Sequence, residues 1–220
     1  MPLQLVFSED RLSKIRGNGV RREPPGEEGT HIDKSTEDVP QKIRDNAFIE
    51  FQLRLSNTGM NFDQPEGFSS TPVIENNKMY YIHAIKSDTH KLEMRYHIVP
   101  LESPSFNSNG IKTVNISRAD YNEMHALNLV ATASNISAGG LEGVSPFPED
   151  AVKSEFGADW GATLSVPLIE TSFGKGYKIC MITTIHKDNC ADAVILYLYD
   201  DFNEVSKLIM DNFYSLTFSR

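Results

Sequence analysis

The stretch GYKICMITTIHKDNCADAVILYLYDD, residues 176–201, constrains the chain more than any other. It holds two apolar runs, 177–186 and 193–199, around a polar knot of His186, Lys187, Asp188, Asn189, Cys190 and Asp192. On a pleated strand, successive side chains face opposite ways. The first run then sets Ile179, Met181 and Ile185 on one face and Cys180 and Ile182 on the other. The second sets Ile195 and Tyr197 against Val194, Leu196 and Leu198. A strand apolar on both faces must be covered on both, so the spacing predicts a central hairpin inside a layered fold. Such a hairpin needs a polar connection, and Asp and Asn serve there because their side chains bond local backbone. A turn centred near Asn189 places Cys180 opposite residue 198, far from Cys190, so no disulfide is expected. The knot also holds the arrangement nearest to a nucleophile with its base: Cys190 beside His186 and Asp188 or Asp192.

Flanking segments supply the rest of a sheet and its cover. FIEFQLRLS, from Phe48, alternates Ile49, Phe51, Leu53 and Leu55 with Glu50, Gln52 and Arg54, which predicts a half-buried strand. KMYYIHAIK and KLEMRYHIV, separated by SDTH, predict a hairpin with Ile85 facing Leu92, His83 facing Met94 and Tyr81 facing Tyr96. That register puts His83 on the apolar face and His97 on the opposite one, so the two are not expected to share a metal. IKTVNIS is a further strand candidate. A helix then starts at Ser117 with Asp120 in its first turn, carries the stripe Tyr121, Met124, Leu127 and Ala131, and ends near Ser134. Residues 135–148 read as a Gly- and Pro-rich loop, and PEDAVKSEFGADW as a short helix between Pro148 and Gly157. ATLSVPLIE reads as an edge strand, since Pro167 cannot donate to a ladder. Asp201 and Glu204 start a helix with the stripe Phe202, Val205, Leu208 or Ile209, and Phe213; YSLTF is a terminal strand.

Residues 1–45 differ in composition. After a short strand-like LQLVFS, RGNGVRREPPGEEGTHIDKSTEDVPQK has few apolar groups and both signs of charge, so it reads as a flexible arm before a single domain over 46–220. The whole chain has 220 residues, 40% hydrophobic and 23% charged, enough for an ordinary core. Its net charge of -9 argues against nucleic acid, which needs clustered Lys and Arg. No leader or membrane-length apolar run is evident, so a cytoplasmic location is expected, and the glycosylation-like Asn115 and Asn135 triplets carry no weight there.

The order of parts carries a resemblance. A turn with Pro65, Glu66, Gly67 and Phe68 leads into antiparallel strands, two central strands come late, and a helix from Asp201 comes almost last. This resembles the Mog1/PsbP/DcrB-like fold over residues 47–218, with PEGF similar to that group's P-x-G-[WF] segment. The long arm and the 135–148 loop depart from its compact members. The resemblance implies an α+β fold with an antiparallel sheet and helices packed on both faces, and a binding role as adaptor, assembly factor or chaperone.

No residue spacing names a chemistry. Metal-ligand motifs, phosphate cradles and a hydrolase elbow are absent; Gly174 and Gly176 are explained by a turn before a strand. No cofactor, no metal and no catalytic residue is therefore expected. The expected function is a non-catalytic protein-binding module: adaptor, chaperone or toxin-immunity protein. Its contact residues are expected on loops and rims, where Phe147 and Trp160 would line a groove with the 135–148 loop, joined by Tyr177, His186, Lys187, Asp188 and Asp192. The alternatives are a small hydrolase-like enzyme using that loop and the 186–192 turn, and a structural subunit of an assembly. Oligomeric state stays open.

Overall fold

A computed structural model describes residues 38–101, 122–141 and 143–219. The leading LQLVFS strand, most of the arm, the IKTVNIS strand and the Ser117–Asp120 cap lie outside these. Nine strands are present among the described residues: β1 (Met60–Phe62), β2 (Phe68–Ser70), β3 (His83–Ser87), β4 (Leu92–Pro100), β5 (Ser145–Pro146), β6 (Trp160–Pro167), β7 (Ile179–Lys187), β8 (Ala191–Tyr199) and β9 (Leu216–Phe218). The helices are α1 (Asp38–Thr58), α2 (His125–Ile136), α3 (Glu149–Ala151), which runs into a π turn at Val152–Phe156, and α4 (Phe202–Asp211).

β2-β3-β4-β8-β7-β6-β5 form a seven-stranded antiparallel sheet, and β1 and β9 pair as a separate ribbon. β8 lies between β4 and β7, and all nine of its residues are buried. The alternation predicted for β7 and β8 divides the core. One face buries Leu92, Met94, Tyr96, Ile98, Ile185, Ile195 and Tyr197 under Phe51 of α1, Val152 and Phe156 of the π turn, Val205 and Ile209 of α4, and the ribbon. The other buries Ala162, Leu164, Val166, Cys180, Ile182, Val194, Leu196 and Leu198 under Leu129, Ala133 and Ile136 of α2 and Phe173. The fold is thus α+β, an antiparallel sheet with helices on both faces. We name the faces after α1 and α2.

The central hairpin has the predicted register. Cys180 pairs with Leu198 and Lys187 with Ala191, with Asn189 in the turn at φ 57°. Asp201 caps α4 by accepting from the Asn203 N–H. Gly157 ends the π turn at φ 62°, and a Cβ there would sit 2.6 Å from the Phe218 carbonyl oxygen. Gly157→Ala is therefore expected to destabilise by at least about 2 kcal/mol, through left-handed strain plus backbone collision. A urea titration showing less than half of that loss would refute this reading.

Four local expectations are corrected. Residues 48–56 are helical, not a strand: α1 buries Phe51 and half-buries Leu55, while Ile49 and Leu53 stay 52% and 58% exposed. From Gln41 to Thr58 there is neither Gly nor Pro, and Glu50 pairs with Arg54 at i,i+4. Helix propensity and that pairing prevail over the alternation. The β3–β4 hairpin is shifted by two residues, with His83 opposite Tyr96 and Ile85 opposite Met94. A two-residue shift preserves faces, so His83 and His97 still point opposite ways. The stripe that α2 buries is Leu129, Ala133 and Ile136, leaving Leu127 of the expected stripe 56% exposed. β6 is not the outermost strand, because Ser145 and Pro146 pair with Thr163 and Ala162; Pro167 is its last residue.

Candidate functional site

The polar knot closes the β7–β8 hairpin, so its side chains alternate between the two sheet faces. His186 turns to the α2 face and is almost wholly buried. Its Nδ1 lies 2.6 Å from Asp192 Oδ1 and its Nε2 lies 3.0 Å from Asp188 Oδ1. A carboxylate only accepts, so this geometry favours the ring with both nitrogens donating, the imidazolium. Burial alone would depress its pKa, but the hydrogen bonds and charges of Asp192 and Asp188 outweigh burial and raise it above the ordinary value.

α2 meets this group from a distant part of the chain. The His125 ring stacks on His186 at 4.4 Å between centroids and packs tilted against Trp160, also at 4.4 Å. Asn128 Nδ2 donates to Asp192 Oδ2 at 3.2 Å, and the Asn189 N–H donates to Asn122 Oδ1 at 2.9 Å. His125 Nδ1 bonds the Asn122 carbonyl oxygen at 2.7 Å. Burial, and then the charge on His186, hold the His125 pKa below its ordinary value. From the residue before β6, the Asp159 carboxylate accepts the Asp188 N–H at 2.9 Å. Three elements and a turn are thus tied by one network, with Asp188 and Asp159 facing solvent.

The structure brings together Trp160, His186, Asp188 and Asp192 and separates the other expected contact residues from them. Phe147 packs on the α1 face, over Gly161 and against Phe156 and Phe213 at 5.8 Å each. Trp160 lies on the α2 face, so the two do not line one groove: neighbouring β6 residues point to opposite sides. Tyr177 sits before the other end of β7, about 30 Å of strand from His186, and its hydroxyl donates to Glu93 Oε2 at 3.1 Å. Lys187 points to the α1 face, where Nζ donates to the Ser219 carbonyl oxygen at 3.1 Å and lies over the Phe218 ring.

Cys190 also points to the α1 face. Its thiol donates to the Thr58 carbonyl oxygen at 3.1 Å, and burial raises its pKa. The nucleophile-and-base grouping of Cys190 with His186 is not formed, because residues 186 and 190 leave the turn on opposite faces. Among the described residues, no group of three or more His, Cys, Asp or Glu could hold a metal ion.

Sequence reasoning missed His125, Asn122, Asn128 and Asp159. One signal was present. His125, Leu129, Ala133 and Ile136 follow i,i+4 and i,i+3 spacing, one helical face that ends in a polar ring. The competing stripe through Leu127 and Ala131 has the same period, and periodicity alone does not choose between phases.

No family model matches the chain, and no curated protein matches it. Among solved structures it is similar to the solution structure of cyanobacterial PsbP (CyanoP) from Synechocystis sp. PCC 6803. The likeness has 13% identity and a TM-score of 0.41, and covers 74% of this chain and 88% of that one.

Proposed function

We propose that this chain is a non-catalytic protein-binding module that meets its partner on the rim built from Trp160, Asp159, the β7–β8 turn and the N-terminal end of α2. One observation carries the reading. The groups that looked reactive are consumed inside the fold: both His186 nitrogens are bonded to carboxylates, and the Cys190 thiol is bonded to backbone. General acid–base work needs a nitrogen or thiol free to reach a substrate proton. The same network holds a rigid rim that presents the Asp188 and Asp159 carboxylates. With a net charge of -9, such a rim favours a basic partner surface.

A cytosolic setting fits two free thiols, Cys180 buried and Cys190 half-buried. No helix among the described residues is long and apolar enough to cross a membrane.

Affinity capture from native extract tests the reading. The full chain is expected to retain a protein that Asp188→Lys retains at least about tenfold less, the size expected for reversing a charge at an interface. Lys207→Glu, an exposed change on α4, should retain it fully. Equal capture by Asp188→Lys, or turnover by the wild-type chain in an unbiased substrate screen, would overturn it.

A further inference from the structure

We propose that the stacked His125–His186 pair is a proton-operated latch, which holds the N-terminal end of α2 against the β7–β8 turn and is opened by acid. The geometry sets a limit on charge. Both ring protons are already favoured on His186, because each nitrogen faces a carboxylate. His125 faces a carbonyl oxygen through Nδ1, so that nitrogen carries the proton in its neutral form. One more proton, on Nε2, places a second cation in a ring whose centroid is 4.4 Å from the first. Like charges at that separation repel, and the repulsion is less screened than in bulk water because His186 is buried and His125 partly so.

The groups facing the pair do not cancel this repulsion. From β8 comes Asp192 and from the turn Asp188, both already engaged by His186. From β6 comes Trp160, uncharged, with the preceding Asp159 bonded to the Asp188 backbone. From α2 and the residues leading into it come Asn128 and Asn122, both neutral. His125 therefore binds a proton less readily when docked than when released. The sign follows: as pH falls through the ordinary imidazole range, about 6.5, the released state gains protons and the latch opens. His186 has the opposite sign, because its docked form is the charged one. When pH rises past its raised pKa it loses a proton and one carboxylate its donor.

The contacts tied by this pair are few: Asn128 to Asp192, Asn189 to Asn122, and Trp160 against His125. Leu129, Ala133 and Ile136 remain anchored in the core beyond them, so opening is local. The latch is a property of the chain alone and stands whether or not the rim binds a partner.

Amide hydrogen exchange on the full chain tests the latch, with protection factors corrected for intrinsic pH dependence. Between pH 7.5 and pH 5, amides in the first half of α2 are expected to lose at least tenfold protection while those of β8 lose far less. His125→Phe keeps a stacking ring without a titrating nitrogen and should abolish the α2-specific loss. Trp160 is the single tryptophan, so its emission gives a second readout in wild-type protein. It should titrate with a midpoint below about 6.5, the ordinary imidazole value. Parallel loss in α2 and β8, an unchanged loss in a folded His125→Phe, or a Trp160 emission flat from pH 7.5 to 5 would each overturn the latch.

Discussion

Arg95→Met is expected to lower the unfolding free energy by about 3–5 kcal/mol, the usual effect of breaking a buried ion pair from one side. Arg95 lies on β4 at 1% exposure, on the α2 face. Its Nε donates to Glu93 Oε1 at 2.6 Å and Nη1 to the Phe173 carbonyl oxygen at 2.8 Å. The guanidinium sits over the Tyr81 and Phe173 rings, at 4.8 and 4.7 Å from their centroids. Removing it leaves the Glu93 carboxylate buried with the Tyr177 hydroxyl as its remaining donor. Most of the loss comes from that uncompensated charge, not from the missing attraction. Glu93→Leu added to Arg95→Met is therefore expected to recover most of the stability. Urea titrations of wild type, both single variants and the double variant decide it. A single-variant loss below about 1 kcal/mol, or a double variant no better than Arg95→Met, would refute the account.

The second large effect is acid destabilisation through two buried neutral histidines. His83, on the α1 face, is ringed by Phe48, Phe51, Phe62 and Tyr96, and its Nε2 has no hydrogen-bond partner. Burial lowers its pKa to about 4. His97 faces the other way with Nδ1 unpartnered, and burial, then the Arg54 charge, lowers it to about 3. In the unfolded chain both titrate near about 6.5, so below that pH the unfolded state binds more protons. Stability is complete above about 6.5 and falls as pH drops toward the folded values. At pH 4 His83 alone accounts for about 3 kcal/mol, since every tenfold difference in proton affinity between the folded and unfolded chain is worth about 1.4 kcal/mol. His83→Phe should be close to neutral at pH 7 and more stable than wild type at pH 4 by most of that amount. Equal acid slopes for the two proteins would rule out His83 as the source. The His125 latch opens over the same range but locally, so exchange at β8 amides separates the two events.

The central hairpin was legible because burial on both faces leaves its mark on every residue of both strands. Cys180 opposite Leu198 and the Asn189 turn followed from counting alone. The Asp201 cap and the Pro148–Gly157 helix were legible for a similar reason: cap chemistry is local. α1 was not, because Ile49, Phe51, Leu53 and Leu55 satisfy a strand period while only Phe51 and Leu55 go inward. The groove joining Phe147 to Trp160 failed on strand geometry, since β6 carries Gly161, under Phe147, and Trp160 to opposite faces.

By itself the sequence determined that the central hairpin lies inside a layered fold, since two strands apolar on both faces admit no other solution than cover on both sides. It also determined that the knot is a turn. Only tertiary structure decided what the turn holds. His186 needed Asp192 across the hairpin, Asp188 beside it, and His125 from a helix far upstream in the chain. That meeting depends on the phase of α2 about its own axis. Two stripes of equal period compete for the sheet, and the one that buries Leu129, Ala133 and Ile136 brings His125 onto His186. Periodicity is a property of one helix; phase is set by the surface it packs against.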